Sequence, residues 1–187
     1  MSILAFAGSV RSGSHNARLL SAAVAAARDV GADVTEVDLR DYPMPIFDED
    51  LEKEQGLPEP VRRLRTLALD HTGLLIACPE YNSSITPLLK NTIDWLSRRQ
   101  PGEGQLAVFD GKVAALVAAS PGALGGLRGL FHVRDILQNI RVTVLPDPFM
   151  IAVPKAHDAF TDDGAVKDDG LRGRIDAMAR KLAELVG

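Results

Sequence analysis

The sequence predicts a doubly wound α/β protein, a parallel sheet covered by helices on both faces. Three observations predict it. Short apolar runs alternate with amphipathic helical stretches five times along the chain, the order expected of parallel strands joined by right-handed crossover helices. Two runs, residues 73–78 and 112–119, are apolar at nearly every position, as central strands buried on both faces require. The segments after the first, third and fourth runs are rich in Gly, Ser and Pro, and in open α/β sheets a ligand sits outside the carboxyl ends of the strands.

Each element has its own signal. Residues 3–7 form a short apolar strand. Residues 16–30 read as a helix with Leu19, Leu20, Ala23, Ala27 and Val30 on one face. Residues 33–39 alternate like a strand, and residues 43–57 read as a loop rich in Pro and acids. Residues 58–70 form a charged amphipathic helix, followed by the third strand at 73–78. The helix over 86–99 has a clear start, with Thr86 as N-cap and Pro87 at the first helical position. The fourth strand covers 112–119, the next helix 125–140, and the last strand 142–145 with a continuation at 149–153. Residues 158–170 are polar and read as a mobile loop. A helix over 171–186 closes the chain, with Leu171, Ile175, Met178, Leu182 and Leu185 on one stripe. Five strands and five helices fit a flavodoxin-like three-layer sandwich, strand order 2-1-3-4-5, better than a six-stranded dinucleotide fold.

Composition narrows the function. The 187 residues suffice for a single domain spanning 1–187. The net charge of −4 and the lack of a basic run argue against nucleic acid. No stretch approaches the ~18 apolar residues of a membrane span, and the N-terminus lacks the basic and apolar regions of a signal peptide. A cytoplasmic protein is expected. Cys78 is the only cysteine, so neither an intrachain disulfide nor a thiolate metal cluster is expected.

The first loop runs Gly8-Ser9-Val10-Arg11-Ser12-Gly13-Ser14-His15-Asn16 into a helix. Helix N-termini offer unpaired N–H groups and a partial positive charge, which suit phosphate. Serine hydroxyls, the Asn16 amide and the Arg11 guanidinium add donors. The loop has neither the Gly-Lys-Ser/Thr ending of a P-loop nor three glycines at G-x-G-x-x-G spacing. It favours a phosphate monoester such as FMN over a pyrophosphate; the alternative is a Ser-rich turn with a surface Arg. The second loop, Pro79-Glu80-Tyr81-Asn82-Ser83-Ser84-Ile85, combines a rigid Pro, an aromatic ring and free backbone groups, which an isoalloxazine needs. Asn82 either bonds the ring or supports a left-handed turn, and Tyr81 either faces the ligand or plugs the core edge. Cys78 reads as a small buried hydrophobe.

At these residues the chain resembles a known family. Gly8-Ser9-x-Arg11-x-x-Ser14-x-Asn16 and the long run from Pro79-Glu80-Tyr81-Asn82-Ser83-Ser84-Ile85-x-Pro87 through Leu89-Lys90-Asn91-x-Ile93-Asp94-Trp95-Leu96-Ser97-Arg98 are similar to the two signature blocks of the NADPH-dependent FMN reductases. That family includes bacterial quinone, chromate, azo-dye and flavin reductases. Asp41-Tyr42-Pro43-x-Pro45 and the Gly-rich third loop extend the match. The resemblance implies that Ser9, Arg11, Ser14 and Asn16 hold the FMN phosphate and that Pro79, Glu80, Tyr81, Asn82 and Ser83 line the ring. Ser84 and Ile85 complete that loop's contacts. Ser120 and Gly122, from Ser120-Pro121-Gly122-Ala123-Leu124-Gly125-Gly126, are implied beside the flavin. His15 departs from the bulky apolar residue common in the family and is kept with the cofactor-binding set.

The resemblance further implies an NAD(P)H-dependent oxidoreductase, with NADPH or NADH as donor and a flavin, quinone or other small molecule as acceptor. Hydride transfer in ping-pong order asks for no catalytic side chain, because the cofactor carries the chemistry. The alternatives are a non-enzymatic flavodoxin-type electron carrier and a binding module that has lost the cofactor. Arg128 is either a ligand for the donor's phosphate or a solvated helix residue. A homodimer or homotetramer is expected from the resemblance. It is also expected from Leu88, Leu89, Ile93, Trp95 and Leu96, more apolar surface on one helix than a sheet face covers; a core position for Trp95 is the alternative.

Overall fold

The structure, a computed structural model, describes residues 2–187. Strand β1 (Ser2–Ala7) leads into helix α1 (His15–Asp29), β2 (Asp33–Val37) and a 3-10 turn (Leu39–Asp41). Helices α2 (Glu49–Gln55) and α3 (Glu59–Leu69) precede β3 (Gly73–Ala77). Two short strands, β4 (Glu80–Tyr81) and β5 (Ser84–Ile85), come before α4 (Pro87–Leu96) and β6 (Val113–Ala119). Helix α5 (Leu127–Asn139), β7 (Thr143–Val144), β8 (Ile151–Val153) and α6 (Asp169–Val186) complete the chain.

The main sheet is parallel, in the order β2-β1-β3-β6-β7, with β8 also pairing β6. This is the expected flavodoxin-like order with one correction: six strands, not five. The fifth strand is split. Thr143 and Val144 pair with the start of β6, and Ile151–Val153 pair with its end. Pro146 and Pro148 lie between them, and proline supplies no N–H to a ladder.

Helices α1 and α6 cover one face, where Leu19, Leu20 and Ala23 meet Ile175, Met178 and Leu182 over Ile3, Ala5 and Leu75. Helices α3, α4 and α5 cover the other, with Leu64, Leu89, Ile93, Leu130 and Val133 packed on Leu4, Ile76 and Leu116. The 43–57 segment is more ordered than a plain loop. Asp48 caps α2, accepting from the N–H groups of Asp50 and Leu51. Trp95 is 0% exposed, stacks edge-on against Phe47 at 4.9 Å and donates Nε1–H to the Pro45 carbonyl at 2.8 Å. The apolar excess of α4 is therefore covered from within the chain, and the Trp95 argument for a subunit interface falls. The 158–170 segment carries an anchor: Phe160 and Val166 pair and are buried. No helix among the described residues is long and apolar enough to cross a membrane.

Candidate flavin site

Three loops meet at the carboxyl edge of the sheet: residues 8–14 after β1, residues 79–85 after β3 and residues 120–126 after β6. In the first, Ser14 is the N-cap of α1, its hydroxyl oxygen accepting from Ala17 N–H at 3.4 Å. The Ser9 hydroxyl accepts from Arg11 N–H at 3.3 Å. Among the described residues, the backbone N–H groups of Ser12, Gly13, His15 and Asn16 make no hydrogen bond. The Arg11 side chain is exposed, with one weak contact to the Ser12 carbonyl at 3.5 Å. His15 Nδ1 is buried and unpartnered. Burial, then the charges of Arg11, Arg18 and His157, hold the His15 pKa below its usual value. Four free amides, two serine hydroxyls, a guanidinium and an orphaned ring nitrogen where this loop runs into α1 fit a phosphate. A cleft of about 350 Å3 opens on the β2 side of this loop, between Ser9 and Arg11 and the segment Asp38–Arg40.

The second loop is a hairpin. β4 and β5 pair antiparallel through Tyr81 and Ser84, and both intervening residues have positive φ, Asn82 at 51° and Ser83 at 68°. This is the geometry of a two-residue turn in which Asn is favoured. Asn82 supports a left-handed turn, as one of its two readings expected. Tyr81 is 53% exposed and does not plug the core. Pro79 is buried, with its Cδ packed near Gly8. The Ser84 hydroxyl meets His132 Nδ1 at 2.9 Å, and Ile85 packs on the core. In the third loop the Ser120 hydroxyl accepts from Gly122 N–H at 3.2 Å, and Gly122 is exposed.

Two residues assigned to the ligand have other partners. The buried Asn16 carboxamide spans to the end of β6, donating to the Ala119 carbonyl at 2.8 Å and accepting from its N–H at 3.0 Å. It satisfies both main-chain groups as a neighbouring strand would. The Glu80 side chain is 8% exposed; its carboxylate accepts from Gly129 N–H at 3.1 Å and from the Arg128 guanidinium at 2.6 Å. Burial pushes the Glu80 pKa up, but the Gly129 amide and Arg128 outweigh it and hold the carboxyl below its ordinary range. Glu80 thus caps the first turn of α5, where Gly126 offers no side chain, and Arg128 is its ion-pair partner. Thr86, legible as an N-cap, has a second task that sequence does not reveal. Its hydroxyl donates to the Gly8 carbonyl at 2.8 Å while accepting from Leu89 N–H at 3.2 Å. Cys78 is fully buried and its thiol pKa is pushed strongly up by burial, which leaves it inert.

The sequence profile of the NADPH-dependent FMN reductases matches residues 1–158. An NAD(P)H-dependent FMN reductase of Pseudomonas aeruginosa is 35% identical over 182 residues, covering 96% of this chain and 92% of its own. The chain belongs to the NADPH-dependent FMN reductase family. A quinone reductase of Escherichia coli is 30% identical over 191 residues, covering 100% of this chain and 95% of its own. Among solved structures, the flavoenzyme NAD(P)H:(acceptor) oxidoreductase FerB of Paracoccus denitrificans superposes with a TM-score of 0.79 at 26% identity, over 100% of this chain and 98% of that one. Membership in this family favours a reductase over a non-enzymatic carrier.

Proposed function

We propose that the chain is a cytoplasmic FMN-dependent NAD(P)H oxidoreductase that delivers two electrons to quinones, flavins or similar planar acceptors. The observation that carries this reading is the junction of the 8–14 loop with α1, where the free amides of residues 12, 13, 15 and 16 and the Arg11 side chain stand together. Arg11 and the amides of Ser12, Gly13, His15 and Asn16 grip the phosphate, and the Ser9 and Ser14 hydroxyls turn their hydrogens toward it. The hairpin main chain at Tyr81–Ser84 and the Ser120–Gly122 backbone meet the ring edge. When bound, FMN supplies the hydride-accepting and electron-donating chemistry; the protein supplies its position.

Donor and acceptor take turns at one open face, in ping-pong order, and the exposed Tyr81 and Leu124 offer apolar area on which flat molecules rest. Neither Glu80 nor Cys78 is free to act as an acid, base or nucleophile, consistent with chemistry that asks only for alignment. Self-association as a homodimer or homotetramer belongs to the same reading, and light scattering at micromolar concentration tests it, a monomer being the adverse result. The direct test of function is anaerobic stopped flow. NADPH or NADH should bleach the yellow protein, and a quinone should restore the colour; colour that persists with both donors refutes the proposal.

A further inference from the structure

The three loops are tied to one another pairwise by three buried side chains, and the ties close a ring. Asn16 joins the first loop to the end of β6, where the third begins, through both of its amide atoms. Thr86 joins the segment after the hairpin to the first loop through the Gly8 carbonyl. Glu80 joins the hairpin to the first turn of α5, which follows the third loop, through Gly129 N–H and Arg128. Each tie includes a main-chain group of the other segment, so it fixes backbone positions, and buried main-chain groups left without a partner are costly. Resting on the FMN reading above, we infer that Asn16, Thr86 and Glu80 are positioning residues that set the spacing between the phosphate grip and the ring platform before the ligand arrives.

The consequence is specific. Phosphate and ring belong to one rigid-ended molecule, so its affinity exceeds that of either half only while the two subsites keep the matching separation. Loosening a tie should weaken FMN without weakening the halves. Thr86 is the most discriminating position, because its hydroxyl is occupied by Gly8 and Leu89. A direct ligand role for Asn16 would instead make Asn16 the sensitive site alone.

The experiment measures dissociation constants of the full-length apoprotein for FMN, riboflavin and inorganic phosphate, well below the melting temperature of each variant. In Thr86→Val and Asn16→Leu, which removes the tie without adding charge and keeps the Asn16 main-chain N–H, FMN affinity should fall about tenfold while riboflavin and phosphate stay within about twofold of wild type. Thr86→Ser, which keeps the hydroxyl, should restore FMN affinity. Glu80→Gln, which keeps the acceptor for Gly129 but loses the ion pair, should fall between. Variants that melt earlier yet keep the wild-type preference for FMN over riboflavin would reduce these residues to fold stability and overturn the inference. A loss confined to Asn16→Leu would overturn it in favour of direct phosphate contact. If the wild-type protein binds phosphate and riboflavin but gains nothing from their union in FMN, the inference fails alone; if it binds no flavin at all, the functional reading fails with it.

Discussion

Replacing Gly125 by alanine should cost far more than the same change at Gly13, although both glycines have positive φ. Gly125 sits at +61° and Gly13 at +67°, so alanine meets the same backbone penalty at each, about 1–2 kcal/mol. Their surroundings differ. A Cβ on Gly13 would have nothing within 4 Å, whereas on Gly125 it would lie 2.6 Å from the Val153 carbonyl carbon and the Pro154 nitrogen. Those are main-chain atoms at the end of β8, where Val153 is in register with Ala119 of β6, so the clash cannot be relieved by a rotamer change. Overpacking of this kind adds about 1–3 kcal/mol, giving Gly125→Ala a total of about 2–5 kcal/mol. For a domain of this size each kcal/mol lowers the melting temperature by about 2–4 °C. Circular dichroism melts of the apoproteins should therefore show a fall of about 2–8 °C for Gly13→Ala and about 4–20 °C for Gly125→Ala. Equal falls would refute the argument that the third loop is pressed against β8.

Further outcomes follow from other contacts. Arg11→Ala should raise the dissociation constant for FMN at least tenfold, as a lost charge-assisted bond implies, and leave riboflavin binding unchanged; parallel losses for both would remove Arg11 from the phosphate site. The Glu80 carboxyl has a folded-state pKa below its unfolded value of about 4.3. Its contribution is therefore complete above that value and is lost as pH falls through the lower folded one. The stability difference between wild type and Glu80→Gln, about 1 kcal/mol after screening at the half-exposed Arg128, should be present at pH 7 and shrink as the pH is lowered through the acid range in urea titrations. Cys78→Ala should keep reductase activity, and the native thiol should resist disulfide reagents until the chain unfolds. The sole tryptophan, Trp95, should emit at short wavelength and resist iodide quenching at every protein concentration, because its burial comes from Phe47 and Leu57 of the same chain.

Periodicity made most of the fold legible. The apolar runs at β1, β3 and β6 and the stripes on α1, α3 and α6 are long enough for burial to leave a pattern, and the observed boundaries fall within a few residues of the expected ones. The features that escaped are too short or too exposed to leave one. β4 and β5 have two residues each, and α2 buries none of its residues. Its one available signal was Asp48 ahead of an acidic first turn, an N-cap pattern. The split of the fifth strand was half visible, as two apolar segments on either side of Pro146 and Pro148. In the site, the loops were readable because free amides, hydroxyls and glycines are local properties. The distant partners of Asn16, Glu80 and Thr86 were not, because each lies 48 to 103 residues away, and a carboxamide that meets Ala119 looks the same in sequence as one that meets a phosphate.

Helix α6 carries a consequence for how the molecule is assembled. Its buried residues Ile175, Met178 and Leu182 belong to the same core as Leu19, Ala23 and Leu75, yet it is made after all the other helices described here. During vectorial synthesis β1, β3 and β6 can pair, and α3 to α5 can close their side, while the opposite side has only α1 over it and stays half covered until residues 169–186 emerge. A nascent chain stalled before that point is a natural client for chaperones, and trimming those residues should yield aggregates rather than a smaller enzyme.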